Sequence, residues 1–513
     1  MASVQTAPHP DSWIKNSEQR RQMLRVLLVA CGALIAIGGS AAVGAIANGW
    51  LVVLGGIAAI MGLLMVLRPS FGMTVLIVFV YMDLSNLIEV NWGIPSLNKL
   101  LVALIFVGVI GTRALVQRRP IVLRSVEGAV LFYGFIIAVS SYVNGEVDTA
   151  FDQLIDFAKD FAIVLILVQL CDSEVVWKRM QWAIIISAGF LAMLTCYQML
   201  TGDTTNDFFG LAKAPVHQIV EGFDNTRPTG PLDDPNFYAQ ILLMVYPLAA
   251  YRVLDEKRLR AKGLALLCTL LIVGAIIFTY SRSAFMMILI ISALIVLERR
   301  MNVYKIAALA GVVLLVALPI LPQGYLDRMA TITGSTSSAE GQTELSFRGR
   351  SSEMIVAMQM FSTHPLLGIG YSAYEEHYLT YSIHVGLDNR LENRQAHSLY
   401  LEAAAETGIV GLAAFVFMYL MVFRSLWIAR KQLIRIGRSD LVLWLSGLQF
   451  GLMGYLMTSI FLHDDYVRYL RLAIGLAISA SALTEALVRR YESARTHEML
   501  TTSPTEGLVL ADK

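Results

Sequence analysis

Apolar runs of ~17–25 residues recur from Met23 to Leu487, each long enough to cross the ~30 Å hydrocarbon core of a bilayer as a helix. This feature narrows the possible folds more than any other. In lipid every backbone N–H and C=O must find its partner inside the protein, which only helices and closed barrels provide. A barrel would need short strands of alternating polarity, and the chain has no such pattern. Composition agrees: 56% of the 513 residues are hydrophobic and 15% are charged, against about a quarter charged in soluble domains. The expected fold is an all-α polytopic membrane protein.

The runs predict spans at 24–46, 50–67, 71–88, 95–115, 126–143, 157–171, 177–200, 236–254, 262–280, 284–298, 303–322, 406–428, 441–463 and 469–487. That makes fourteen, or twelve if two short ones are re-entrant, so about 12–14 transmembrane helices are expected. Cytoplasmic loops collect Lys and Arg, and this tests the count. Basic residues gather in the N-terminal segment (Lys15, Arg20, Arg21, Arg25), in "RALVQRRPIVLR", "YRVLDEKRLRAK", "ERRMNVYK" and "FRSLWIARKQLIRIGR", and in "RRYESAR" near the end. All six fall on one side if fourteen spans begin and end in the cytoplasm. The basic flank and "SAAVGA" could mimic an export signal, but such a flank is equally expected of a first anchor.

The organisation expected is therefore a cytoplasmic tail (1–23), an N-terminal transmembrane bundle (24–200), a periplasmic loop (201–235) and further transmembrane helices (236–322). A large periplasmic loop (323–405), C-terminal transmembrane helices (406–487) and a second cytoplasmic tail (488–513) complete it. Loops that long usually carry function. In the second, "FRGRSSEMIVAMQMFSTHP" has helical periodicity, with a cap expected near Ser351 and a stop at Pro365, which suggests an amphipathic helix along the outer surface. A net charge of +1 gives no reason to expect nucleic acid as a partner. Cys31, Cys171, Cys196 and Cys268 are scattered through apolar segments and read as small buried hydrophobes.

On the outer face four features converge. "TRPTGPLDDPNFYAQ" carries Arg227, "TYSRSAF" places Arg282 in a tight hinge between two spans, and "SFRGR" carries Arg348 and Arg350. "NRQAHSLYLEAAAETGIVG" places His397 at the mouth of a span. Arginine at membrane depth is costly and usually faces a cavity or a charged partner. Guanidinium grips phosphate oxygens in a bidentate fork, and a neutral imidazole takes a proton from a hydroxyl near physiological pH. Together they suit transfer of a group from a phosphate leaving group to a hydroxyl acceptor, with a lipid-linked phosphate as donor. Plainer roles stay open on sequence alone: Arg282 snorkelling, Arg227 a solvated loop residue, Arg348 and Arg350 serving the surface helix, His397 an interfacial histidine. Asp233-Asp234 and His463-Asp464-Asp465 are weak metal-site patterns, because Asp before Pro commonly makes a turn or cap. No metal and no cofactor is expected. "GIG" at 368–370 is too short for a nucleotide fingerprint.

Over roughly 220–430, "RPTGPLDDPNFYA", "SRSAF", "HPLLGIGYSAY" and "AHSLYLEAAAETGIVGL", in that order, resemble the O-antigen ligase/Wzy polymerase superfamily. The resemblance implies a GT-C-like membrane fold with its active site facing the periplasm, in the bacterial inner membrane. It implies metal-independent, inverting transfer of an undecaprenyl-diphosphate-linked glycan to a glycan or lipid A core acceptor. Arg227 and Arg282 match the diphosphate-binding arginines, and His397 matches the histidine that activates the acceptor; Arg348 is a third candidate cation for the diphosphate on charge alone. Ser398 departs from the pattern, where asparagine is commoner. A flippase and chain-length regulator proteins are the further partners implied. The reading taken is a Wzy-type O-antigen or exopolysaccharide polymerase. Alternatives are an O-antigen ligase, an O-linked protein glycosyl ligase and a lipid-linked oligosaccharide flippase or transporter. The last would show internal repeats, and the chain has no visible repeat.

Overall fold

The computed structural model describes residues 60–65, 68–94, 97–111, 123–145, 147–171, 173–220, 223–302, 340–386, 392–463 and 467–502. Its helices are α1 (Pro69–Tyr81), α2 (Leu84–Trp92), α3 (Leu97–Ile110), α4 (Ser125–Val143), α5 (Val147–Leu170) and α6 (Glu174–Thr201). A two-stranded antiparallel hairpin follows, β1 (Val216–Val220) with β2 (Phe223–Thr226), then α7 (Pro235–Asp255), α8 (Leu259–Phe278) and α9 (Arg282–Glu298). The remainder is α10 (Glu340–Thr363), α11 (Tyr374–Val385), α12 (Leu399–Arg435), α13 (Ser439–Thr458) and α14 (Val467–Thr502). The architecture is all-α and polytopic.

Among the described residues seven helices are long and apolar enough to cross a membrane: α4, α6, α7, α8, α12, α13 and most of α14. The pair α1–α2, bent by 65°, would make an eighth. The spans expected at 24–46 and 303–322, and most of 50–67, lie outside the described residues. Two expected spans differ for local reasons, and a third, expected at 284–298, forms but is short. The run at 71–88 is broken by Asp83, whose φ of 50° caps α2 in the left-handed region. α5 extends the run at 157–171 back to Val147 and carries Asp156, Lys159 and Asp160 in its middle turns. α9 has 17 residues, about 26 Å of helix.

α7 is the centre of the bundle. Of its most apolar stretch, 83% is buried inside the protein, and it packs on α13, α8 and α9. The crossing with α13 is close because Gly447, Gly451 and Gly454 line one face of that helix. A Cβ on Gly451 would lie 2.2 Å from the Met244 carbonyl oxygen. Membrane helices lack a hydrophobic drive toward each other, so small residues that let backbones meet are the usual means of association.

α10 begins at Glu340, well before the cap expected near Ser351, and ends at Thr363 just ahead of Pro365. Its Ser352, Glu353, Val356, Ala357 and Met360 are wholly or almost wholly buried. The apolar members of that stripe pack in a separate core with Tyr374 and Tyr378 of α11, Ala396 and Ala405. This helix is thus folded into the protein along one face.

Candidate active site

Asp234 starts the assembly. It is the N-cap of α7, its carboxylate accepting from the N–H groups of Asn236 (2.6 Å) and Phe237 (3.2 Å), with Pro235 at the first helical position. Asp233 pairs instead with Lys213 at 2.9 Å. Each aspartate therefore has a structural task, the one as a cap and the other as a salt bridge holding the loop.

Arg227 follows the hairpin and is 7% exposed. Its backbone N–H donates to Pro215 O (2.9 Å), its Nε to Thr279 O (2.9 Å) and its Nη2 to Asn236 Oδ1 (3.3 Å). Thr279 is the C-cap of α8, so its carbonyl belongs to the helix end that carries partial negative charge, where a cation is favoured. The turn continues through Tyr280, buried with φ 55°, to Arg282, the first residue of α9 and half-buried. Arg227 is thus fastened to the same short hinge from which Arg282 departs.

His397 stands two residues before α12 with φ 44°. Few non-glycine residues adopt that backbone, and those that do cluster at functional sites. The start of α12 is pinned by Leu399 N–H donating to Ser459 O (3.0 Å) and Leu462 O (2.8 Å) at the end of α13. Gln240 of α7 holds the same corner through Tyr455 O (3.1 Å) and Ser459 Oγ (2.8 Å). The His397 ring lies 5.3 Å from that of His463, which meets the Phe237 ring edge-on at 4.9 Å. Consecutive residues of one helix end therefore reach both halves of the site: Asn236 touches Arg227, and Phe237 leads through His463 to His397. The structure ties Arg227 to the hinge that carries Arg282, and links it to His397 through Asn236, Phe237 and His463. Arg348 lies in α10, upstream of Glu353, and its side chain is outside the described residues.

The sequence looks for an orienting acid further along α12, at Glu402 or Glu406. Glu406 is engaged elsewhere, its Oε1 accepting from Tyr374 N–H at 3.1 Å. The carboxylate whose contact with His397 is resolved belongs to Glu353 of α10. Its Oε2 lies 4.0 Å from His397 Nε2, its Oε1 lies 2.9 Å from Arg394 Nη1, and its side chain is sealed from solvent. A usable sequence signal existed: Glu353 shares the apolar face of α10 with Val356 and Met360, where an acid is out of place. Tyr374 donates to the Glu353 carbonyl at 2.7 Å. Burial raises the Tyr374 phenol well above its ordinary pKa, and neighbouring Glu353, Tyr378, Glu402 and Glu406 add to the rise.

Residues 267–416 match the family model described as O-antigen ligase. Over this stretch the chain is similar to that family. No curated protein matches the chain. The match takes in Arg282, Glu353 and His397, while Arg227, α13 and α14 lie outside it. It supports a membrane glycosyltransferase of the O-antigen ligase/polymerase type.

Within the matched stretch, "HPLLGIG" also has a task that its sequence did not disclose. α12 breaks at Gly408, with φ 64° and ψ −166°. In an unbroken helix Ile409 and Val410 would donate to Ala405 and Glu406. Here they donate to Pro365 O (2.8 Å) and Leu366 O (3.3 Å), while Ile369 N–H and Gly370 N–H donate to Ala405 O (3.0 Å) and Glu406 O (3.1 Å). The loop thus exchanges backbone hydrogen bonds with the opened helix and leaves these groups satisfied where irregular backbone is otherwise expensive. Ser140 Oγ of α4 lies 2.7 Å from both Leu367 O and Glu406 O, within reach of either side of this exchange for its one proton, and Asn144 donates to Gly368 O at 3.1 Å.

A cavity of about 840 Å³ opens elsewhere, between α1, α2, α3, α5 and the start of α14. Asp83, Glu89, Lys99, Asp160 and Arg468 line it, and none of Arg227, Arg282 or His397 does. Arg468 and Asp83 pair across it at 2.8 Å.

Proposed function

We propose that this protein transfers an undecaprenyl-diphosphate-linked oligosaccharide to a sugar hydroxyl, as a Wzy-type polymerase of O-antigen or exopolysaccharide. The observation that carries the reading is the convergence of Arg227, the Arg282 hinge and His397 on the N-terminal end of α7. Arg227 and Arg282 neutralise charge on the departing diphosphate, with Arg348 as a third cation, and fixed donors of this kind act without reorganising during the reaction. His397 takes the proton of the acceptor hydroxyl as that oxygen attacks the anomeric carbon from the face opposite the leaving group, which inverts the centre. Permanently charged guanidinium does the neutralising, so the reaction needs no metal. A second reading, ligation of finished glycan onto lipid A core, is favoured by the description of the matched family. Product size separates the two, since a polymerase yields a ladder of repeats and a ligase a single transfer.

The test is transfer from purified undecaprenyl-diphosphate glycan in detergent. Arg227→Ala and Arg282→Ala are each expected to cut turnover on the order of 10²-fold or more. Arg282→Lys, which keeps charge but loses the fork, should remain strongly impaired. Wild-type rates in both alanine variants would remove the diphosphate role, and activity lost in EDTA and restored by a divalent ion would replace it with a metal mechanism.

The reading also requires the site to face the periplasm of the inner membrane, with both termini cytoplasmic. Reporter fusions after Gly210 and Gly341 should report periplasm, and fusions after Arg260 and Lys431 cytoplasm. The opposite pattern would put His397 on the side where nucleotide sugars are the donors.

A further inference from the structure

We infer that Glu353 is the positioning residue of His397, the buried carboxylate that fixes the imidazole and balances the charge it gains when it accepts a proton. The inference rests on the reading of His397 as the base. Glu353 is the acid whose ion-pair contact with the ring is resolved, and it comes from α10, a different helix from the one that His397 precedes. Its carboxylate is wholly screened from solvent, whereas the His397 side chain is 35% exposed. One side of the ring therefore faces a fixed anion and the other is open to an incoming acceptor.

The geometry assigns the two ring nitrogens. Nε2 faces Glu353 at 4.0 Å, an ion-pair distance that hydrogen bonds of catalytic groups commonly close once substrate is bound. With the Nε2 proton directed at that carboxylate, Nδ1 is the basic nitrogen, since the partner of one nitrogen decides the state of the other. In the transfer step the bond from anomeric carbon to diphosphate oxygen breaks, and its electron pair leaves with the diphosphate. The acceptor oxygen bonds to that carbon, and its proton passes to Nδ1. The imidazolium then sits beside the Glu353 anion until it loses its proton to water.

Other charged and titratable groups surround the pair, and each enters the pH dependence. Arg394 shares the carboxylate, at 2.9 Å from Oε1. His463, just beyond the end of α13, lies with its ring tilted beside that of His397. Tyr374 of α11 donates to the Glu353 carbonyl, and Glu402 and Glu406 of α12 are felt at its phenol. The anion of Glu353 favours protonated imidazole and Arg394 opposes it, so the two should be separable by sign. The backbone at His397, φ 44°, lies in the left-handed region and limits where the ring can go.

The experiment is the pH–rate profile of purified variants that elute as folded protein in detergent. Glu353→Gln keeps the shape and removes the charge. It should lower turnover on the order of 10–100-fold, the usual loss when the group orienting a functional histidine is removed. It should also move the acid limb to lower pH by ~1 unit. Arg394→Ala should move that limb the other way. Glu353→Asp, which keeps the charge, should hold the limb near its wild-type position and serves if the glutamine variant does not fold, because a displaced limb there would equally count against the assignment. An acid limb unmoved in either Glu353→Gln or Arg394→Ala overturns the proposal, even if turnover falls, since a purely structural role would do that. The underlying reading fails separately: wild-type turnover in His397→Ala removes the base itself, whereas an inactive His397→Ala with an unmoved limb in Glu353→Gln removes only the positioning role.

Discussion

His397→Ala is expected to fold, reach the membrane and bind the lipid-linked donor while turnover falls ~10²–10⁴-fold, the range that a positioned general base supplies. The side chain reaches outward from a packed corner, with 35% of its surface exposed, so its loss leaves no sealed cavity. The corner itself is held by other groups, the Leu399 N–H bonds to Ser459 and Leu462 and the Gln240 bonds to Tyr455 and Ser459. On the proposed reading donor binding rests on the arginines around the Thr279–Arg282 hinge, so it should persist. His397→Gln keeps a polar group of similar reach but no nitrogen of suitable basicity, so it should fail to a similar degree. In the wild type, protonated imidazole cannot accept a proton, so the rate should drop as pH falls through the imidazole range, ordinarily near ~6.5. Two measurements decide the matter: product formation from purified donor, and donor binding in the same detergent. Unchanged turnover in His397→Ala would end the base assignment. Lost binding with turnover preserved at saturation would move His397 into the anion site.

What could be read from the sequence follows from the range over which each signal acts. Long apolar runs are local, so the helices that became α4, α6, α7, α8, α13 and α14 were all legible, and so was the hinge at Ser281–Ser283 between two of them. Arg227 and His397 were legible because charge and imidazole are conspicuous beside apolar segments. Their meeting was not legible, since it passes through Asn236, Phe237 and His463 on two helices far apart in the chain. Glu353 was conspicuous as an acid on an apolar helix face, but its contact with His397 was hidden for the same reason. A search for an orienting acid naturally runs along the helix that His397 begins, and the contact comes from elsewhere. Helix starts also depend on context: α10 extends back to Glu340 past a serine that could have capped it. In "HPLLGIG" and "ETGIVG" nothing local discloses the use of the glycines, which is mutual, each segment shaped to the backbone of the other.

That mutual fit makes Gly408→Ala the substitution with the largest expected effect on stability. At φ 64° and ψ −166° the backbone sits in a region essentially reserved for glycine. A Cβ there would lie 2.3 Å from both the carbonyl carbon and oxygen of Leu366. Those atoms are backbone, already committed to the exchange in which Val410 donates to Leu366 O, and cannot swing aside as a side-chain tip could. Strain of ~1–3 kcal/mol for the dihedrals and a similar amount for the collision give a loss of about 2–6 kcal/mol. Gly368→Ala should act alike, because φ there is 70° and its Cβ would meet the Glu406 carbonyl at 2.2–2.3 Å. Gly437 is the control: its φ is 74°, but a Cβ there would meet nothing within 4 Å. Gly437→Ala therefore isolates the cost of the left-handed backbone, about 1 kcal/mol. Thermal unfolding in detergent should place Gly408→Ala and Gly368→Ala well below both wild type and Gly437→Ala. Melting temperatures for the first two that match the control would show that the exchange tolerates a side chain, and that the break in α12 is held by something other than the loop.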